Sequence, residues 1–209
     1  MISHALTIVI NELNSHLVNN YDPSATNPMV GSGNLAEGIG VTNGMVHRGI
    51  INFSLVNIKE EKSLKNLPNF VRNDVTLTAT YENQPVYLNF QILVTATHSD
   101  YSNALLALSR AIRFFQHKNV FTQDNVAQSS IVTNAPSNPL DRLELFKLIF
   151  DLYSPTLEEV NHLWGTLGGK QYPFILYVMR MLDLKFSAQQ SQSGLITEIV
   201  SDFYQNKPK

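Results

Sequence analysis

The stretch Pro85-Val86-Tyr87-Leu88-Asn89-Phe90-Gln91-Ile92-Leu93-Val94-Thr95-Ala96-Thr97 decides the fold class. Val86, Leu88, Phe90, Ile92, Val94 and Ala96 fall on alternate positions, the period of a strand with one covered face. Glu82-Asn83-Gln84 turns into it, and upstream Val75, Leu77, Ala79 and Tyr81 alternate with Thr76, Thr78 and Thr80. Further upstream Ile51, Phe53 and Leu55 alternate with Asn52 and Ser54. Alternation of this kind predicts antiparallel strands with an apolar and a polar face. The charged segment Lys59 to Asn66 reads as a solvated turn with a short helix.

Helices flank this block. Ile2 to Asn20 predicts an amphipathic helix through Ile2, Ala5, Leu6, Val9, Leu13 and Leu17, stopped by Tyr21-Asp22-Pro23. A second helix starts at Ser99-Asp100 with Ser99 as its cap and Ala104, Leu105, Leu108, Ala111, Ile112 and Phe115 as its apolar stripe. A third is read with Ser154 as cap, Pro155 at the first helical position, and Glu158 and Glu159 at the positive end of the dipole. It ends at Gly168-Gly169, residues suited to a left-handed C-terminal cap. Leu143 to Phe150 and Pro173 to Leu184 read as strands, and Leu195 to Phe203 as a strand or a last short helix. Tyr177 to Leu184 is apolar on both faces apart from Arg180 and Asp183, so it is either central in the sheet or half covered by another subunit. Ser24 to Gly44, with a short edge strand near Ile39 to Thr42, and Thr122 to Pro139 are polar, turn-rich loops. The expected fold is α+β, a mostly antiparallel or mixed sheet flanked by helices, with residues 1–209 as a single domain.

Composition excludes whole classes of function. Charged residues make up 15% of the 209, against about a quarter in an ordinary soluble domain. Two explanations are open: a surface covered by neighbouring subunits, where Lys and Glu are depleted, or a surface built from Asn, Gln, Ser and Thr. The net charge of −2 without a basic block leaves no footprint for nucleic acid. The absence of cysteine excludes disulfides, thiolate metal sites and cysteine nucleophiles. No apolar run is long enough to span a bilayer, and Met1-Ile2-Ser3-His4 lacks the features of a secretory leader, so assembly in the cytoplasm is expected.

No catalytic set emerges. His98-Ser99-Asp100 has hydrolase residue types, but triad members converge from separate elements, and Ser99 reads better as a cap. The histidines at 4, 16, 47, 98, 117 and 162 are scattered without metal-ligand spacing, and no metal or cofactor is expected. The glycines from Gly31 to Gly40 are followed by neither a Lys-Ser/Thr pair nor a helix, so they form no phosphate cradle. Glu158 and Glu159 diverge by about 100° on a helix and make no acid–base pair.

Several words together resemble a known family: Leu55-Val56-Asn57-Ile58 with Glu60-Glu61, Leu77-Thr78 to Tyr81, and Pro85-Val86-Tyr87-Leu88. The most specific is Glu158-Glu159-Val160-Asn161-His162-Leu163-Trp164-Gly165-Thr166-Leu167-Gly168-Gly169-Lys170-Gln171-Tyr172-Pro173, leading into Tyr177-Val178-Met179-Arg180-Met181. With Met1 to Leu17, the chain resembles the tail-terminator or cap proteins of extracellular contractile injection systems, the antifeeding-prophage and virulence-cassette type of particle. The resemblance implies a homo-hexameric ring that ends the inner tube, anchors the last sheath ring and is carried out of the cell in a particle. Its partners would be itself, the inner-tube protein and the sheath protein, with no membrane insertion and no catalysis. Longer members carry an extra C-terminal part, whose role here would be absent or supplied elsewhere.

The candidate residues that carry the resemblance, as fold or interface positions, are Asn57, Trp164, Gly165, Gly168, Gly169, Pro173, Tyr177 and Arg180. Trp164 reads physically as an apolar anchor, the glycines as a tight helix-to-strand reversal, and Pro173 as a strand start that needs no ladder donor. The two polar loops and the segment after Ser187 are the expected contact regions. Alternatives are an assembly adaptor or chaperone of the same particle, and a small hydrolase using His98 or His47 in a concave pocket with a perturbed pKa.

Overall fold

A computed structural model describes residues 1–40, 45–64, 68, 70–81, 83–184 and 191–194. Among these, α1 (Ile2–Tyr21), β1 (Val30–Ser32), β2 (Ile51–Glu60), β3 (Phe70–Asn73), β4 (Thr78–Tyr81), β5 (Val86–Ala96) and α2 (Tyr101–His117) come first. There follow β6 (Val120–Thr122), α3 (Gln128–Val132), β7 (Lys147–Tyr153), α4 (Leu157–Thr166), β8 (Phe174–Leu184) and β9 (Ser191–Gly194). Six strands form a sheet in the order β1-β2-β5-β8-β7-β6, antiparallel except for the parallel β1–β2 pair. β3, β4 and β9 make a smaller antiparallel sheet. The fold is thus the expected α+β arrangement of a mixed sheet with helices.

β8 lies between β5 and β7, so a central position accounts for its apolar character. Its first face, with those of β5 and β2, meets α1 and α2. α1 buries Ala5, Ile8, Val9, Leu13 and Leu17; α2 buries Ala104, Ala107, Leu108, Ala111, Phe114 and Phe115. Phe115 is the hub: its ring stacks on Phe150 at 4.9 Å and meets Tyr177 at 4.6 Å, and Phe53 and Phe121 close the cluster. Such pairs add about 1 kcal/mol each beyond area burial. Desolvation here pushes the Tyr177 phenol up to about 12.

Several expectations are corrected. The Val75–Tyr81 strand is half as long as its alternation implies. Residues 74–77 form the turn of the β3–β4 hairpin, with Leu77 at φ 51° and Val75 93% exposed. Threonine alternation satisfied the pattern without a covered face to support it. Asp100, not Ser99, caps α2, accepting from the Asn103 N–H at 3.1 Å. Leu105 and Ile112 of the expected stripe face solvent, while Ala107 and Phe114 point inward. Thr156, not Ser154, caps α4. The edge strand of the first loop is Val30–Ser32. Ile39 makes only an isolated bridge to Val46, and the rest of that expectation lies partly outside the described residues. In the charged segment β2 runs on to Glu60 before a 3-10 turn at Lys62–Leu64. The strand placed at Leu143–Phe150 is Lys147–Tyr153, and Leu143 and Phe146 are buried ahead of it. The element read at Leu195 to Phe203 lies outside the described residues.

Candidate functional site

The second face of the sheet divides into a covered and an open half, and the candidate residues divide with it. α4 covers one half. Thr156 accepts from the Glu159 N–H at 3.3 Å while the Glu159 carboxylate accepts from the Thr156 N–H at 2.8 Å, a reciprocal capping box. The Tyr153 hydroxyl, at the end of β7, donates to the other Glu159 oxygen at 2.8 Å and ties the helix to the sheet. These bonds, the Thr156 N–H first and Tyr153 next, hold the Glu159 carboxyl below its ordinary value.

So fixed, α4 lowers Trp164 onto Leu93 and Leu176, with Leu35 and Val46 from the first loop completing the cluster. Phe174 meets the indole edge-on at 5.4 Å and Tyr172 lies at 6.3 Å. The helix stops through the backbone: the Gly169 N–H reaches the Trp164 carbonyl at 2.8 Å, with Gly168 at φ 92° and Gly169 at φ 77°. That is a Schellman closure, which needs left-handed residues just past the helix. Gly165 is exposed on the helix with open space around it. Pro173 then accepts from the Ala96 N–H at 3.1 Å and leads into β8. Trp164, Gly168, Gly169 and Pro173 therefore set how β8 enters the sheet.

Sequence reasoning missed the polar half of this cover. Asn52 and Ser54, assigned to a solvated face, are buried beneath the first loop. Ser54 donates to the Gly33 carbonyl at 2.6 Å, and Asn52 donates to Ser54 Oγ at 2.8 Å. Thr97 likewise donates to the His47 carbonyl at 2.7 Å and accepts from the Ile50 N–H at 3.2 Å. The signal that could have found them is their position in a strand beside a long loop rich in unpaired backbone groups.

Asn57 and Arg180 lie on the open half. A register shift between Leu55 and Asn57 carries the Asn57 side chain to Gln91 on the neighbouring strand, 2.9 Å away. Arg180 pairs with Asp151 at 2.8 Å, both about half exposed, and Asn89 donates to Glu61 at 2.9 Å. The structure thus separates the candidates: Trp164 and its turn under cover, Asn57 and Arg180 in the open, and Tyr177 in the core on the opposite face.

The loop from Thr122 to Pro139 is not a free loop. α3 interrupts it, and α1 holds it. The Glu12 carboxylate receives Lys118 Nζ at 2.7 Å and the Ala127 N–H at 2.9 Å, and Asn11 donates to the Ser130 and Thr133 carbonyls at 2.9 Å. Burial alone would raise the Glu12 pKa, but the Lys118 and Ala127 bonds outweigh it and hold it below its ordinary value. His4 is buried in the same seam. Its Nδ1 accepts from the Leu143 N–H at 2.8 Å, so Nε2 carries the proton that it gives to the Ile131 carbonyl at 2.9 Å.

A cleft of about 250 Å³ opens between α1, α2 and the start of β2. Burial lowers the pKa of His98, which lines it with Asn103, Arg110 and aliphatic side chains. Part of what a hydrolase would require is therefore present. The partners are not: the lining has no carboxylate and no hydroxyl or thiol, and His47 is exposed on the adjoining loop. Among the described residues no three His, Asp or Glu side chains gather as a metal site, and no helix is long and apolar enough to cross a membrane.

The fold has a solved counterpart. The tube-terminating cap of the anti-feeding prophage superposes with a TM-score of 0.53 over 93% of this chain, at 14% identity. The sheath/tube terminator of the PVC extracellular contractile injection system, in its extended state, matches over 76% with a TM-score of 0.49 and 15% identity. This chain spans 60% and 51% of those two chains. None of the curated proteins compared matches it by sequence. The profile of the Pvc16 N-terminal domain matches residues 5–198, nearly the whole length, and the chain belongs to that family.

Proposed function

We propose that this chain is a structural, non-enzymatic terminator of a contractile injection particle, with residues 1–209 acting as one unit. It forms a hexameric ring at the end of the inner tube and holds the last ring of sheath, and it leaves the cell as part of the particle after assembly in the cytoplasm. The observation that carries this reading is membership of the Pvc16 N-terminal domain family across residues 5–198, in a fold shared with a tube-terminating cap. The low charge content fits a surface largely covered by neighbours. In this reading Trp164, Gly165, Gly168, Gly169, Pro173 and Tyr177 shape the domain, and Asn57 and Arg180 belong to a contact surface on the open half of the sheet.

Deletion of the gene followed by electron microscopy of purified particles tests it. The expected result is tubes of uncontrolled length with sheath detached at the end far from the baseplate, restored by the wild-type chain. Normal, sheathed particles of uniform length in its absence would overturn the reading.

A further inference from the structure

α2 joins exposed apolar residues to uncompensated positive charge. At about 100° per residue, its outer side gathers Tyr101, Leu105 and Ile112 on one flank and Leu106, Arg110 and Arg113 on the other. The four apolar side chains are 41–67% exposed. From Tyr101 to His117 the helix has no Asp or Glu, in a chain whose net charge is −2. Neither arginine has a carboxylate partner among the described residues, and Arg110 lies 4.4 Å over the Tyr21 ring near the end of α1.

The opposite combination sits at the other end of α1. His4 anchors the chain there through Ile131 and Leu143. Around that anchor Val132, Leu140 and Leu145 are 63%, 71% and 77% exposed, next to exposed Asp141 and Glu144. Arg142, between the two acids, gives its Nε proton to the Pro136 carbonyl at 2.7 Å and is occupied within the loop. Neither acid has a cationic partner among the described residues. The loop therefore presents leucines with a small excess of negative charge, where α2 presents leucines with positive charge.

One molecule does not bring these patches together. His4 marks one and Leu17, which lines the cleft beside Arg110, marks the other. Thirteen helical steps separate the two, about 20 Å at about 1.5 Å per residue. We propose that the α2 face of one copy receives the Leu140–Leu145 segment of a second copy, with Asp141 and Glu144 meeting Arg110 and Arg113 and the leucines packing between them. The pair then keeps one free patch of each kind, the loop of the first copy and the α2 face of the second. The contact is heterologous and propagates until rotation closes it. Closure at six rests on the cap reading above; the contact itself does not.

The chain has no cysteine, which makes disulfide trapping free of background. A tagged Leu105→Cys variant is mixed with an untagged Leu145→Cys variant under mild oxidation, in solution and in purified particles. The expected product is a mixed dimer, with ladders from the double variant. Arg110→Glu with Arg113→Glu abolishes it, and Asp141→Lys with Glu144→Lys on the other copy restores it. That rescue separates a lost contact from a lost fold. Cross-links only between identical positions overturn the proposal. So does an absence of cross-links in particles that contain the protein, and the cap reading then survives. Particles without the protein defeat the cap reading, while the solution cross-link still decides the contact: mixed dimers support it, and a cross-link-free solution overturns it.

Discussion

The two faces of the central sheet are covered by different means. On the α1–α2 face the cover is aromatic and continuous, with Phe115 between Phe150 and Tyr177. On the α4 face the cover is a small cluster around Trp164, helped by polar tethers from Asn52 and Ser54 to the first loop. Buried polar atoms without a protein hydrogen-bond partner among the described residues occur on both sides: Asn52 Oδ1, Thr95 Oγ1 and Trp164 Nε1 here, His98 Nδ1 and Ser130 Oγ beside α1 and α2. A continuous aromatic layer tolerates no gap, whereas the tethered layer rests partly on a loop that can shift. The first face fixes the fold; the second fixes a loop, a helix end and the entry of β8.

This difference predicts unequal losses. Phe115→Ala opens a cavity among five neighbouring rings, and the expected cost is about 4–5 kcal/mol in chemical denaturation, the upper part of the range for such truncations. Trp164→Ala removes a larger ring but from a smaller cluster that the first loop helps to close, and its expected cost is about 3 kcal/mol. Equal or inverted losses would break the comparison. Limited proteolysis sharpens it: Trp164→Ala should expose cleavage sites within residues 33–40, which Phe115→Ala at matched stability should not.

The seam between α1 and α3 gives a smaller effect with a definite pH dependence. Glu12 is held below its ordinary carboxyl value of 4.5, so its ionised form stabilises the fold. That contribution is complete above the unfolded value and disappears as pH falls through the lower, folded one. Glu12→Gln keeps the shape but weakens the bonds to Lys118 and Ala127, and should cost about 2 kcal/mol at neutral pH. The gap between the two proteins should narrow steadily as pH falls below the ordinary carboxyl value of 4.5. A gap of constant size from neutral pH to the acid unfolding limit, in denaturation measured across the range, would remove the charge from the explanation.

What the sequence revealed followed from periodicity. Ile2 to Tyr21 and Val86 to Ala96 show a repeat because one face of each packs on the core along most of its length, and both appear with nearly the expected bounds. The glycine turn after Trp164 was legible because left-handed backbone leaves a residue-type signature. Caps were misplaced by one or two residues, since Ser99 and Asp100, or Ser154 and Thr156, offer the same oxygen acceptor and only geometry chooses between them. The burial of Asn52 and Ser54 was hidden because a tether looks like a solvated residue until the loop above it is known. The open half of the second face is hidden for a related reason: Asn57 and Arg180 stand out only through a family pattern, and the strand shift that aligns Asn57 with Gln91 leaves no mark on residue types.

That open half gives the smallest expected effect on stability. Arg180 and Asp151 are 52% and 43% exposed at the side chain, and ion pairs in that setting contribute about 0.5 kcal/mol or less. Asn57 and Gln91 exchange one exposed hydrogen bond and should add no more. Arg180→Ala with Asn57→Ala should therefore unfold within about 1 kcal/mol of wild type. If this half is a contact surface, as the cap reading holds, the same pair should sharply reduce the amount of protein retained on purified particles, measured by quantitative blotting against the tube protein. Full retention with unchanged stability would leave these side chains with no role in the assembly, and the comparison would then contrast two covered layers with a bare one.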